Sequence, residues 1–414
     1  MTKKRIVITG LGVVSCFGND VDLFYKQLLE GKSGAAAITE FPCEDFPTRI
    51  AAMIKDFDPG EYIDKKQARR IDKCDAYALV AGKKALEHAH IDLEKLDKTR
   101  CGILIGSGMG GMNQFCEGVQ TLLEKGAKRI TPFFVPYILT NMPGAMLAMD
   151  TGFMGPNYSI STACATGNNS IIAAANHIRS GNADVMLCGG VEAPIIAMGM
   201  AGFAACKALS QRNDEPTKAS RPWDTGRDGF LMGEGAGVLV LESLEHALAR
   251  GATILAEYLG GGLSCDAHHI TEPRADGEGV AQCVRNALSD AGVNAEDVNY
   301  INAHATSTPV GDLAEINAVK KVFKNPGKIT MNATKSMIGH ALGAAGGLEA
   351  VVSVMAVKEK MVHPTINLED REPDLEFNIP TKAEHLDIRV GISNSFGFGG
   401  HNATVVFGDY PRNT

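Results

Sequence analysis

A layered α/β fold follows from three features of this 414-residue chain. Runs of β character recur as CGILIGSG, ADVMLCGG, GVLVLES, VNYINAH, KITMNATK and IRVGISNS, with helical stretches between them, a pattern read as parallel sheets covered by helices. Forty-six glycines against 21% charged residues predict many tight turns in a folded chain, not disorder. Two segments also echo each other. SISTACATGNNSIIAAANHI and MNATKSMIGHALGAAGGLEAVVSVMAV each read as a strand end, a small-residue turn and an Ala-rich helix. Two similar halves with matching turns facing one site are therefore expected.

In chain order, KKR followed by IVITGLGVVSC has the charge and apolarity of a secretory signal, with Cys16 where a lipidated cysteine stands. Thr9, Gly10 and Gly12 interrupt that run, so it is read instead as a first strand entering a glycine turn. GLGVVS and GSGMGG (106–111) both approach the dinucleotide fingerprint. Neither is followed by a well-placed acidic residue about 20 positions on, so both are read as tight turns. The stretch 250–269, RGATILAEYLGGGLSCDAHH, reads as a seam, dividing the chain into halves 1–255 and 256–414.

Composition narrows the function. A net charge of −8 argues against general nucleic-acid binding. No uninterrupted apolar stretch of about 18 residues is present, so no membrane span is expected. The ten cysteines contain no C-x-x-C pair and stand singly, unlike a zinc site or a disulfide framework, and are read as reduced thiols of a cytoplasmic protein.

Cys164 differs from the other nine. It follows NYSIST and precedes NNSIIAAANHI, so it is expected at a helix N-terminus, where free N–H groups favour a thiolate without a strong base. Ala163, Ala165 and Gly167 leave room around it. A nucleophilic cysteine usually works with histidine, and His304 in NAHATSTP and His340 in TKSMIGHALGAAGG lie at ends of predicted strands, where α/β sites form.

Taken together, STACATGNN, RPWDTGRDGFLMGEGAG, NAHATSTPVGD, TKSMIGHALGAAGGLE and NSFGFGG resemble the motifs of β-ketoacyl-acyl-carrier-protein synthases of the elongating type, from Arg5 to about Phe407. The resemblance implies the thiolase-like fold, two βαβαβαββ halves forming a five-layered αβαβα core, and a homodimer. It implies decarboxylative condensation of an acyl chain with a malonyl unit, both on acyl carrier protein. Cys164 would hold the acyl chain, His304 and His340 would assist decarboxylation, and the N–H groups of Cys164 and Phe398 would form the oxyanion hole. Initiating synthases carry Asn in place of the second histidine, so His340 favours elongation.

By the same resemblance, Lys335 and Glu349 form an ion pair that orients the histidines, with Asp312 joining them. Thr306 and Thr308 contact the pantetheine arm, Met109 and Phe203 line the acyl pocket, and Phe398 gates it. No cofactor is required, the phosphopantetheine belonging to the carrier. Asn302, Glu349, Ser393 and Asn394 surround a structural Na+ or K+ in some relatives. DKKQARRIDK places Lys66, Arg69, Arg70 and Lys73 on one side at helical spacing, a candidate docking patch for the acidic carrier, with Lys207 near the tunnel mouth. His401 stands where many bacterial relatives have threonine, and plastid relatives share the histidine. A bacterial cytoplasm is the expected compartment, since the chain opens directly on its first strand; a processed plastid protein is the alternative. A thiolase or a nicotinamide-dependent oxidoreductase is the alternative activity. A thiolase would carry a second catalytic cysteine near GFGGHN, where this chain has none.

Overall fold

The first strand, β1 (Ile6–Val14), is buried along its whole length, as a strand covered on both faces must be. The computed structural model describes residues 3–411. β1 is joined by β2 (Cys101–Gly106), β3 (Val185–Glu192) and β4 (Gly235–Ser243), all buried throughout. The second half supplies β5 (Ala256–Cys265), β6 (Tyr300–Asn302), β7 (Thr330–Asn332), β8 (Val390–Gly397) and β9 (His401–Gly408). The main helices are α1 (Lys73–His88), α2 (Met112–Lys125), α3 (Met142–Thr151), α4 (Thr166–Arg179), α5 (Ala197–Ala205), α6 (Glu278–Ala291), α7 (Pro309–Val322) and α8 (Ala345–Glu359).

Hydrogen bonding runs in the order β2-β3-β4-β1-β5-β9-β8-β6-β7. Read outward from the centre, the two sides match. β1 pairs antiparallel with β4, β4 antiparallel with β3, and β3 parallel with β2, which ends on a parallel bridge from Ile103 to Asn157. β5, β9, β8, β6 and β7 repeat those orientations. The halves join where Ile6–Ile8 pairs with Ala256–Tyr258. The expected parallel sheets are therefore mixed. β8 and β9 form a hairpin through Phe398–Gly400, with φ of +84° and +75° at Gly399 and Gly400, and a short hairpin makes only antiparallel pairs.

Helices α1 and α3 cover the first half, and α6 and α7 the second. Between the halves lie α4 and α8, touching each other and strands of both sides. This gives the five layers αβαβα. α8 is buried around its circumference from Ala345 to Val357, the signature of a central helix, not a surface one.

Two local readings are corrected. β1 runs straight through Gly10 and Gly12 instead of turning there; side chains at these positions would strike the α1 backbone at Ala85 and Ala81, so the glycines serve close helix packing. Within the stretch 250–269, strand β5 opens the second half, and its Gly260 and Gly262 admit α6 at Ala291 and Ala287. Residues 65–73 are not one helix. Asp64 caps a single turn, Lys65–Ala68, and Asp72, in extended conformation, caps α1 anew. Lys66, Arg69, Arg70 and Lys73 thus share no helical face. Lys65, Lys66, Arg69 and Arg70 are exposed, while Lys73 opens α1 and lies 3.5 Å from Glu40.

The central layer depends on contact without side chains. A Cβ at Gly167 of α4 would lie 2.4 Å from the backbone nitrogen of Gly347 in α8. Gly167→Ala is expected to destabilise the protein by about 1–3 kcal/mol, as overpacking does in other cores. Thermal unfolding beside the wild type checks this, and an unchanged midpoint would contradict the packing described.

Candidate active site

Cys164 sits one residue before the N-cap of α4, on a turn whose preceding residue, Ala163, has φ +49°. That conformation is strained for a residue with a Cβ. The main-chain N–H groups of Cys164 and Phe398 both bear on this sulfur. Burial dominates its ionisation. Desolvation pushes the thiol up to about 12 and Glu192 adds to the rise, while the Lys335 charge and the two N–H groups act against it. Cys164 is 8% exposed, and this burial works against the thiolate that the helix N-terminus favours.

The second half brings its two histidines to the same place. His304 follows β6, and His340 precedes α8 in the turn that matches the Cys164 turn before α4. Their rings meet edge to face with centroids 5.3 Å apart. Phe396 lies 5.3 Å from the His304 ring and Phe230 lies 5.2 Å from the His340 ring. Desolvation, then the nearby Lys335 charge, holds both imidazoles well below their ordinary range. Both are therefore neutral near pH 7, each with one N–H to give and one nitrogen to receive a proton.

Lys335 and Glu349 form a buried ion pair, and the lysine lies close enough to both histidines to depress them. Burial raises the Glu349 carboxyl to about 7 against the opposing pull of Lys335. Asp312 does not join this pair. It accepts hydrogen bonds from the backbones of Ser307 (3.0 Å) and Trp223 (2.9 Å) and lies 3.4 Å from the Arg227 guanidinium. Asn302 Oδ1, Glu349 Oε2 and Ser393 Oγ are buried without partners, a set of hard oxygens that fits a monovalent cation. The Asn394 side chain is engaged elsewhere, donating to Glu315 at 3.1 Å and accepting from Thr404 at 2.9 Å.

A cavity of about 310 Å³ opens beside these groups, lined by Cys164, His304, His340, Phe203, Thr306, Thr308 and Phe398, with the exposed Lys207 at its rim. The two threonine hydroxyls are 3.0 Å apart. Phe398 and Phe203 approach with ring centroids 6.3 Å apart. Met109 packs with Phe203 into the apolar cluster that contains Cys164, outside the lining of the cavity itself. Lys66, Arg69 and Arg70 lie away from the cavity, on the surface segment before α1.

Two buried acids escaped the sequence reading. Glu315 accepts from the backbones of His304 (3.0 Å) and Ala305 (2.8 Å), and from Asn394. Glu192 accepts from Ser107 Oγ (2.7 Å) and from the backbones of Gly108 (2.9 Å), Met109 (3.1 Å) and Gly343 (3.1 Å). The available signal was position: Asp312 and Glu315 are three apart on one helix that follows a histidine loop, and Glu192 ends a strand. In the GSGMGG turn the N–H groups of Gly108 and Met109 are taken by Glu192 and that of Gly110 by Ser107 Oγ, so these three are not free for a dinucleotide phosphate, which counts against the oxidoreductase alternative. Cys283, the last cysteine, is buried against Gly262 and Thr404, away from the cavity, and cannot serve as a second thiolase nucleophile.

Comparison with known proteins gives the following likenesses. Residues 3–247 match the family described as β-ketoacyl synthase, N-terminal domain, and residues 255–369 its C-terminal domain. The chain is 61% identical over 409 residues to 3-oxoacyl-[acyl-carrier-protein] synthase I, chloroplastic, of Arabidopsis thaliana, covering 98% of this chain and 86% of that one. It is 48% identical to 3-oxoacyl-[acyl-carrier-protein] synthase 2 of Vibrio harveyi, covering 98% and 99%. Among solved structures, a β-ketoacyl synthase from Burkholderia phymatum superposes with a TM-score of 0.91 at 34% identity, covering 98% and 99%. A type II polyketide ketosynthase in complex with its acyl-carrier protein gives 0.90 at 33% identity, covering 99% and 100%.

The electrostatics make one prediction. As pH falls from 8 to 6, His304 and His340 are expected to stay neutral, because their folded-state values are depressed and protonation is deferred below that window. Nitrogen-15 spectra of labelled histidine check this, and an imidazolium signal from either residue at pH 6.5 would contradict it.

Proposed function

The chain belongs to the β-ketoacyl synthase family, and from that premise we propose that it elongates acyl chains on acyl carrier protein by decarboxylative Claisen condensation. The products are 3-oxoacyl-carrier, carbon dioxide and free carrier. The observation that carries this reading is a single cavity into which one thiol and two neutral imidazoles open.

Cys164 attacks the acyl thioester, and its proton moves to an imidazole during attack, since the free thiol does not ionise near neutrality. The N–H groups of Cys164 and Phe398 stabilise the oxyanion, the imidazolium passes its proton to the departing carrier sulfur, which leaves as a thiol, and the acyl group stays on the Cys164 sulfur. Malonyl-carrier then binds with its pantetheine arm along Thr306 and Thr308. As the C–CO2 bond breaks, His304 and His340 each donate an N–H to the thioester oxygen that gains enolate charge. The enolate carbon attacks the acyl-cysteine carbonyl, the Cys164 sulfur departs as a thiolate, and a proton from water restores the thiol and completes the cycle. Neutral donors suit this step, because they stabilise charge that exists only while it develops. Lys335 and Glu349 orient the pair. Met109 and Phe203 receive the acyl chain, with Phe398 as its gate.

A homodimer is proposed on the exposed apolar face formed by α2, the turn Phe134–Ile138 and α3, where Leu123, Val135 and Met149 are 80%, 58% and 74% exposed. The orphan oxygens of Asn302, Glu349 and Ser393 support a bound Na+ or K+, without the Asn394 side chain, which is already engaged. No cofactor is assigned to the reaction. Among the described residues no helix is long and apolar enough to cross a membrane. The ten unpaired cysteines suit a reducing compartment, for which the bacterial cytoplasm is proposed.

Incubation with acyl-carrier thioesters followed by intact mass and peptide mapping is expected to place one acyl group on Cys164. Cys164→Ala should take none, and His304→Ala or His340→Ala should slow malonyl decarboxylation by about 100-fold or more, as loss of an oriented oxyanion donor does elsewhere. Acylation at another cysteine would overturn the assignment.

The chain's net charge of −8 should repel an acidic carrier at long range, so docking requires a local basic patch. Lys66, Arg69 and Arg70 supply it from the capped turn before α1, and Lys207 from the cavity rim. Lys66→Glu with Arg70→Glu should raise KM for carrier-bound substrate and flatten its salt dependence, leaving small acyl thioesters unaffected. Equal losses on both substrate types would exclude a docking role.

A further inference from the structure

Glu192 stands at the carboxyl end of β3, buried to 1% exposure, and its four acceptor contacts reach two separate turns directly and a third indirectly. Oε1 takes Ser107 Oγ and Met109 N–H; Oε2 takes Gly108 N–H and Gly343 N–H. The third turn is reached through Ser107, whose carbonyl accepts the Ser161 hydroxyl at 2.6 Å, three residues before Cys164. Gly343 follows Leu342, which holds φ +48° and packs in the same apolar cluster as Cys164, Met109 and Phe203. A Cβ at Gly343 would stand 2.4 Å from Glu192 Oε2, so that turn has room for the carboxylate only because residue 343 is glycine.

We propose that Glu192 is a positioning residue that sets acyl-chain selectivity, by fixing Met109 and Leu342 as two walls of the apolar region inward of Cys164. The inference rests on the condensing reading above. Met109 and Leu342 come from opposite halves of the chain, and no strand pairing links their turns. One carboxylate binds the backbone beside both. A long acyl chain reaches these walls and gains from finding them ordered; a short one ends before them. Loosening the carboxylate therefore costs the long chain and spares the short one.

Glu192→Gln tests this with nearly unchanged volume. An amide has one acceptor oxygen, so in either orientation its NH2 faces donors that the carboxylate satisfied. kcat/KM for acylation of Cys164 would be measured with butanoyl- and tetradecanoyl-carrier, and thermal midpoints recorded alongside. The long chain is expected to lose about tenfold and the short chain less than about twofold. Ser107→Ala, which removes one of the four donors, should shift the ratio the same way by less, and it decides the matter if Glu192→Gln does not fold. Combined with Met109→Ala, the Glu192→Gln effect should be clearly less than additive, because both act on one wall. Equal loss at both chain lengths, an unchanged ratio in folded protein, or full additivity would overturn the proposal while leaving the condensing reading intact. Wild-type protein that accepts neither chain on Cys164 would instead overturn the condensing reading beneath it.

Discussion

Close contact between α4 and α8 is the constraint on which the site depends. These helices lie between two half-sheets, and the space is too narrow for side chains at their crossing. Gly167 faces Gly346 and Gly347, and Gly237 of β4 would carry its own Cβ to within 2.2 Å of Gly347. Each helix is preceded by a functional turn, Cys164 before α4 and His340 before α8. Bringing the helices into backbone contact brings the thiol and the imidazole to one cavity, although 176 positions of sequence numbering separate 164 from 340.

The same burial sets the electrostatics. Removing water from the region disfavours charge on every group in it, so the Cys164 thiol keeps its proton and both imidazoles stay neutral, with Lys335 acting on all three. Lys335 is itself paired with Glu349 instead of standing alone, as a buried cation must be. A thiol and two neutral imidazoles suit a reaction in which charge appears only in passing, first on an acyl oxygen and then on an enolate.

Acids without a chemical role hold the backbone around this chemistry. Glu315 receives the N–H groups of the His304 turn, Asp312 those of Ser307 and Trp223, and Glu192 those of the turns at Met109 and Gly343. Several of these turns are strained: Ala163, Trp223, Ala305, Ser307 and Leu342 all have positive φ. Such conformations persist where surrounding bonds over-determine them, and buried carboxylates accepting backbone N–H groups do this here.

The chain alone determined the alternation of strands and helices, the echo between its halves, and the cysteine and histidines that meet at one cavity, because each is written locally. A lone cysteine between Ala163 and Ala165 before an apolar helix is visible without its neighbours, as are histidines at strand ends. Strand direction was not visible, since β4 and β9 are antiparallel to their neighbours by virtue of how the chain returns to the sheet. Nor was β5 within the stretch read as a seam, since its Gly260 and Gly262 make sense as strand residues only once α6 is seen lying on them. The basic stretch 65–73 shows the limit within a single segment: its spacing is helical, yet two aspartate caps divide it. The burial that bears on Cys164 was not visible for a related reason. The helix end that favours a thiolate is a local feature, whereas the desolvation that opposes it is the sum of everything packed around the sulfur. Partners of buried charge, such as Glu192 with Gly343 and Asp312 with Arg227, belong to tertiary structure alone, because they join segments whose separation in sequence says nothing of their distance in space.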